Sequence, residues 1–170
     1  MIIFSICRLK KAIFQGMKHF KINYIKLIPI ITLFLFFTSS QSYALDRGIV
    51  FIAVETGAEH MFSVEIATAP RDVARGLMFR KYLKKRHGML FDFKTPKIAR
   101  MWMKNTLISL DMLFVDRDGY VQGIEENTIP LSESIYTSDV PVRWVLEISA
   151  GSVKSFGINI GDQITVKRSS

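Results

Sequence analysis

The sequence predicts a mostly β domain, β-rich α+β in class, arranged as an antiparallel sandwich or open barrel with two short helices. Three observations lead there. From Gly48 onward, short apolar runs alternate with turn residues. Asp116-Arg117-Asp118-Gly119 places an Asp-Gly hairpin signal between two of those runs. Only the stretches after Thr68 and after Gly151 read as helix. Many short strands at this spacing form the pattern of a sandwich or barrel.

Taken in order, residues 48–54 and 61–67 are expected strands around a turn at Thr56-Gly57. Thr68, Pro70 and Asp72 then open a helix, because threonine can cap it, proline suits its first turn and an acid suits its positive end. It runs through Val73, Ala74 and Leu77 toward Phe79, with Gly76 a weak spot or early stop. Residues 88–93, 99–106 and 110–115 read as three further strands rich in Met, Phe, Leu and Trp, and 120–125 is the hairpin partner of the last. Asn127 and Pro130 mark one loop, and Ser138, Asp139 and Pro141 another. A strand at 142–148, a helical turn at 152–156 and a strand at 163–167 follow, set off by Gly151, Gly157 and Gly161.

The first 44 residues read differently. LIPIITLFLFF at 27–37 is preceded by Lys18, Lys21 and Lys26 and followed by TSSQSYA, the parts of a cleaved signal peptide. Ser42 and Ala44 put small side chains at the −3 and −1 positions, so cleavage is expected between Ala44 and Leu45. The apolar run is short of the roughly 20 residues a spanning helix needs. Met17 begins a better-proportioned signal than Met1, which makes Met17 the expected start of translation. Residues 45–170 then form a single mostly β domain, soluble, periplasmic or secreted, with no stable membrane span after cleavage. Cys7 is the single cysteine of the chain, so that domain forms no internal disulfide and has no thiol nucleophile. It also lacks the cysteine of a lipid anchor.

The formal charge of +8 suggests nucleic acid until it is divided. Arg8, Lys10, Lys11, Lys18, Lys21 and Lys26 precede residue 45 with no acid among them, leaving 17 of the 23 basic residues against all 15 acidic ones. That balance does not fit a nucleic-acid partner. Lys81, Lys84, Lys85 and Arg86 form a local basic run, read as a solvated turn, with contact to an anionic partner or membrane surface as the alternative.

MFSVEIATAPRDVARGLMFR, GMLFDF, MWMKNTLISLDMLFVDRDG, WVLEISAG and GINIGD occur in this order across about residues 49–167. In sequence and spacing they resemble the family catalogued as domain of unknown function one-hundred-ninety-two. The resemblance implies a small, mostly β, often exported protein and carries over no activity. Two departures stand out: Met101 replaces an aromatic before Trp-Met-Lys-Asn-Thr, and Ser109 a proline before Leu-Asp-Met.

On a strand, Trp102, Lys104 and Thr106 would share one face and Met101, Met103 and Asn105 the other. Asp111 interrupts an apolar run, where an unpaired carboxylate is costly. Lys104, Arg75 and Arg80 are the candidate partners of a buried ion pair. The functional alternative is a polar pocket in which Trp102 is a platform and Lys104, Asn105, Asp111, Arg75 and Arg80 orient a ligand. Glu65, Asp111, Glu125, Glu126 and Glu147 are candidate carboxylates for hydrolysis, although no spacing selects a pair. Serine chemistry lacks a base, since His60 and His87 sit in expected turns. Met101, Met103, His87 and Met89 offer soft ligands for Cu(I), against core packing as the blander account.

The leading expectation is therefore an exported, soluble, non-catalytic binding or accessory domain for a small molecule or an envelope component, without a cofactor. A periplasmic hydrolase using strand-borne carboxylates and a Met-rich Cu(I)-binding protein are the alternatives. The intact mass of the protein from the extracytoplasmic fraction should match a chain beginning at Leu45; uncleaved protein in the membrane fraction would contradict the export reading.

Overall fold

The computed structural model describes residues 45–169. The expected leader and the Met17 start lie outside the described residues. The strands are β1 (Asp46–Ala53), β2 (Glu59–Ala67), β3 (His87–Lys97), β4 (Arg100–Met101), β5 (Leu110–Val115), β6 (Val121–Glu125), β7 (Tyr136–Thr137), β8 (Val142–Ser149) and β9 (Gln163–Arg168). The helices are α1 (Pro70–Arg75) and α2 (Ser152–Phe156). Seven strands form one curled sheet, a half-barrel in the order β6-β5-β8-β3-β2-β1-β9, while β4 and β7 pair separately. Among the described residues no helix is long and apolar enough to cross a membrane.

The mostly β class, the open-barrel form and the two short helices agree with the expectation; the purely antiparallel sheet does not. β2 and β3 are parallel, with Glu65 beside Met89. Parallel neighbours need a long crossover, and residues 68–86, with α1, provide it.

Both faces of the sheet carry apolar clusters. Val50, Ile52, Phe62, Val64, Ile66, Leu90, Leu113, Leu146 and Ile148 fill the concave side. Met89, Phe91, Leu110, Met112, Phe114 and Val145 line the other, under Leu77, Ala99, Met101 and Met103. All six residues of β5 are buried as a result. β1 instead alternates between buried and open positions, so its outward face is only partly covered.

The edge strands meet at one end. Val121 N–H donates to the Asp162 carbonyl (2.9 Å), Ile164 N–H to Gly119 (2.7 Å) and Gly161 N–H to Val121 (2.8 Å). Gly119 is required there: its φ is +91°, and a Cβ would lie 2.5 Å from the Ile164 carbonyl oxygen. At the other end of β9, Arg168 reaches the carboxylate of Asp92 on β3, which also accepts from Arg143 Nε of β8 (2.9 Å) and sits 3.4 Å from Lys94 Nζ. The β3–β8 register shifts just beyond Asp92, where Lys94 has φ +65° and its amide donates to Asp92 Oδ1 (2.8 Å). This bulge aims the carboxylate at its cations.

Three local expectations change. The strand expected at 99–106 is two residues long, and 102–106 is a turn: Thr106 N–H bonds the Met103 carbonyl (3.0 Å) and Asn105 has φ +57°. The chain must reverse there to enter β5, so the two-face alternation of Trp102 to Thr106 fails. Phe79, also at positive φ (64°), donates its N–H to the Asn105 carbonyl (2.8 Å) and pins the turn to the crossover. α1 takes the early stop expected at Gly76 (φ +49°), but Ala69 rather than Thr68 is its N-cap residue.

The expected ion pair of Asp111 is replaced by backbone contacts. Its side chain is fully buried and accepts the N–H groups of Asn127 (2.9 Å) and Val153 (2.9 Å). α2 begins after Gly151, which has no side chain to cap it, so β5 supplies the acceptor for one of its orphan amides. Lys104 lies 3.3 Å from Glu133, Arg80 binds Glu65, and Arg75 is exposed. Asp111→Ala, which leaves the buried Val153 amide and the part-buried Asn127 amide without their acceptor, should cost about 1–3 kcal/mol, with part of the loss recovered in Asp111→Asn. Urea denaturation measures it; an unchanged midpoint in the alanine variant would contradict this role.

Candidate functional site

Where the outward face of β1 and β2 is open, the crossover stands beside it and the two border an open groove of about 780 Å³. Arg47, Ser63 and Glu65 form its floor, Arg80, Lys81, Tyr82, Leu83 and Lys84 its wall, and His87 and Gly88 its β3 side. Five basic side chains thus surround one acid, and that acid is already engaged. Arg80 grips Glu65 with both terminal nitrogens, one of the two bonds measuring 2.7 Å. The Arg80 hydrogen bond holds the Glu65 carboxyl below its usual range, and the same contact raises the guanidinium above its own. Among the described residues no carboxylate forms an ion pair with Arg47, Lys81 or Lys84. Tyr82 is 71% exposed at the rim, a surface on which a planar group can lie. The groove therefore presents an excess of positive charge beside apolar and aromatic side chains.

The strand registers build a second feature on the same face. Arg47 stands beside Glu65, Glu65 beside Met89, Met89 beside Glu147, Glu147 beside Met112 and Met112 beside Glu125, one lateral row across six strands. Side chains directly opposite one another on neighbouring strands share a face. Glu147, in the middle, is 4% exposed. Burial alone pushes its pKa up to about 8 from the ordinary 4.5.

The expected site residues do not gather in one pocket. Trp102 is 42% exposed, with Lys104 Nζ 5.1 Å from its ring centroid. Asn105 is exposed beside Met78, and Arg75 is exposed at the end of α1. Arg80 alone of the expected set lines the groove, while Asp111 is buried as described. Of the carboxylates considered for hydrolysis, Glu65 reaches the groove; Glu126 is exposed elsewhere and Glu125 is half-buried on β6. Of the soft ligands, Met89, Met101 and Met103 share the outer core, with Met103 Sδ 3.3 Å from the Thr128 hydroxyl, whereas His87 faces the groove.

Lys81 and Lys84 are exposed in a loop, as a solvated turn would have them, and they also line the groove. The run itself was the available signal. Arg86 of the same run turns away and lies 4.7 Å over the Phe156 ring. Nothing in the sequence near Arg47, Ser63 or Tyr82 marks them, because the crossover brings them together.

Residues 51–166 match the family described as DUF192, Uncharacterized ACR. No curated protein matches the chain. Among solved structures it is similar to a provisionally assigned transcription regulator from Sinorhizobium meliloti, 41% identical, over 74% of this chain and 97% of that one, with a TM-score of 0.72. It is also similar to a protein of unknown function from Novosphingobium aromaticivorans, 35% identical over 74% and 89%, with a TM-score of 0.70.

The raised pKa of Glu147 fixes the sign of a pH effect. Below about pH 4.5 both the folded and the unfolded chain hold the proton, and burial carries no penalty. Between there and about pH 8 the folded form retains a proton that the unfolded chain releases, so this residue lowers stability by about 1.4 kcal/mol per pH unit. Glu65 and Asp92, whose pKa values are lowered, act in the opposite sense and lose their contribution as pH falls. Glu147→Gln should match the unsubstituted protein near pH 4 and exceed its stability by several kcal/mol at pH 8. Thermal or urea unfolding across that range tests this, and parallel stability curves for the two proteins would refute it.

Proposed function

The chain belongs to the DUF192 family of uncharacterised proteins, and from that premise we propose that it is an exported, soluble, non-catalytic binding domain whose basic groove takes a small polyanion. The carrying observation is the set of Arg47, Lys81 and Lys84 around a 780 Å³ groove whose one acid is already bound to Arg80. A carboxylate- or phosphate-bearing molecule supplies the missing negative charge, and Arg47 offers a planar fork suited to either group. Tyr82 provides a face against which the rest of the ligand can pack. An envelope component that presents such a group would be held in the same way.

A role in transcription, as assigned to the Sinorhizobium protein, would require a nucleic-acid surface. The 17 basic and 15 acidic residues from residue 45 onward favour a small ligand instead. Four of those 17 basic residues, Arg47, Arg80, Lys81 and Lys84, line the groove.

A panel of di- and tricarboxylates and phosphorylated small molecules, screened by thermal shift, should contain members that raise the unfolding temperature, since a ligand that binds the folded state stabilises it. Isothermal titration of the best of them should show affinity falling with salt. Arg47→Ala and Lys84→Ala should each weaken it about 3- to 10-fold, about 0.7–1.4 kcal/mol. Equal affinity in the double variant would exclude the groove.

A further inference from the structure

The lateral row contains one buried polar side chain with no hydrogen-bond or ion-pair partner among the described residues. The Glu147 side chain makes no hydrogen bond and no ion pair with any described residue, and it is 96% buried. Buried polar groups are almost always satisfied, and one that is not calls for an explanation. The two residues that flank it supply one. Met89 on β3 and Met112 on β5 stand directly opposite Glu147, on either side and on the same face, each fully buried.

We propose that Met89, Glu147 and Met112 form a binding site for a soft monovalent cation, Cu(I), which takes the two thioether sulfurs and one carboxylate oxygen. Thioethers are soft, neutral donors suited to Cu(I). One carboxylate balances one positive charge, so the occupied site is neutral and can stay buried. A divalent ion would leave a net charge in an apolar core, at a cost of several kcal/mol. Calcium and magnesium need about six oxygen ligands, and zinc takes thiolate, imidazole or carboxylate rather than thioether. The proposal does not rest on the basic groove, which lies beyond Met89. It also differs from the Met101, Met103, His87 and Met89 set suggested by the sequence: Met101 on β4 and Met103 in the turn after it lie outside the row, and His87 faces the groove.

The test uses Ag(I), a redox-stable stand-in for Cu(I), with protein carrying carbon-13 in its methionine methyl groups. One equivalent should shift the Met89 and Met112 methyl resonances together while leaving Met61, exposed on β2, unmoved. Met112→Leu should abolish the shift at Met89. Glu147→Gln, isosteric with the protonated acid, should fold normally and bind at least tenfold more weakly. Saturation that leaves both core methyls in place, binding confined to Met61, or unchanged affinity in Glu147→Gln would each overturn the assignment.

Discussion

A carboxylate that is 1% exposed, Asp92, is bound by cations from β8, β9 and the bulge of its own strand, and the curl of the sheet brings those cations within reach. An isolated charge at that depth costs several kcal/mol and needs both good geometry and further hydrogen bonds to be tolerated. The Lys94 amide supplies one of them. Arg168 lies on the last strand at one edge, so its contact to β3 holds when the strand order is bent into a half-barrel. With the Gly119–Ile164 contacts at the opposite end of β9, the curl is fixed at two points. Burial acts to raise the Asp92 pKa, but the Arg143 hydrogen bond, the Lys94 amide and the nearby positive charges outweigh it, and the carboxyl stays ionised.

That curvature separates the two sides of the sheet. The concave side is filled by aliphatic residues and Phe62, while the convex side is covered by loops over β3, β5 and β8 and left partly open over β1 and β2. Both the basic groove and the Met–Glu–Met row belong to the convex side. The first occupies the open part, where charge remains hydrated. The second lies under cover, where a carboxyl must be neutral or balanced.

Much of the fold was legible because strand periodicity and turn chemistry are local. The Asp116–Gly119 hairpin, α2 and most strand positions follow from residues within a few places of one another. The strand expected at 99–106 failed because Trp102, Met103 and Thr106 look alternating, yet the chain has to reverse at Asn105 to reach β5. The parallel β2–β3 pair was hidden because only the sheet order shows it. The site was less legible for the same reason. Asp111 and Glu147 carry an identical signal, an acid inside an apolar run, and reach different ends: Asp111 meets two backbone amides, and Glu147 meets two methionines. Which neighbour arrives depends on pairings between strands far apart in the chain. Lys81 and Lys84 were visible as a basic run, but Arg47 and Glu65, which make that run a wall, come from other strands.

The crossover that makes β2 and β3 parallel also has a consequence for how such a site can diversify. Residues 81–83, at the middle of the groove wall, give no backbone hydrogen bond to any strand, whereas Arg86 and Lys84 anchor the far end by accepting from Ser63 and His87. Insertions, deletions or new side chains in that short span therefore change the shape and charge of one wall without disturbing a ladder of the sheet. Loop lengthening is thermodynamically cheap, about 0.6 kcal/mol per doubling. The floor, by contrast, is woven into β1 and β2 and is held by the inner core. One half of the groove is built into the sheet, and the other can change without disturbing it.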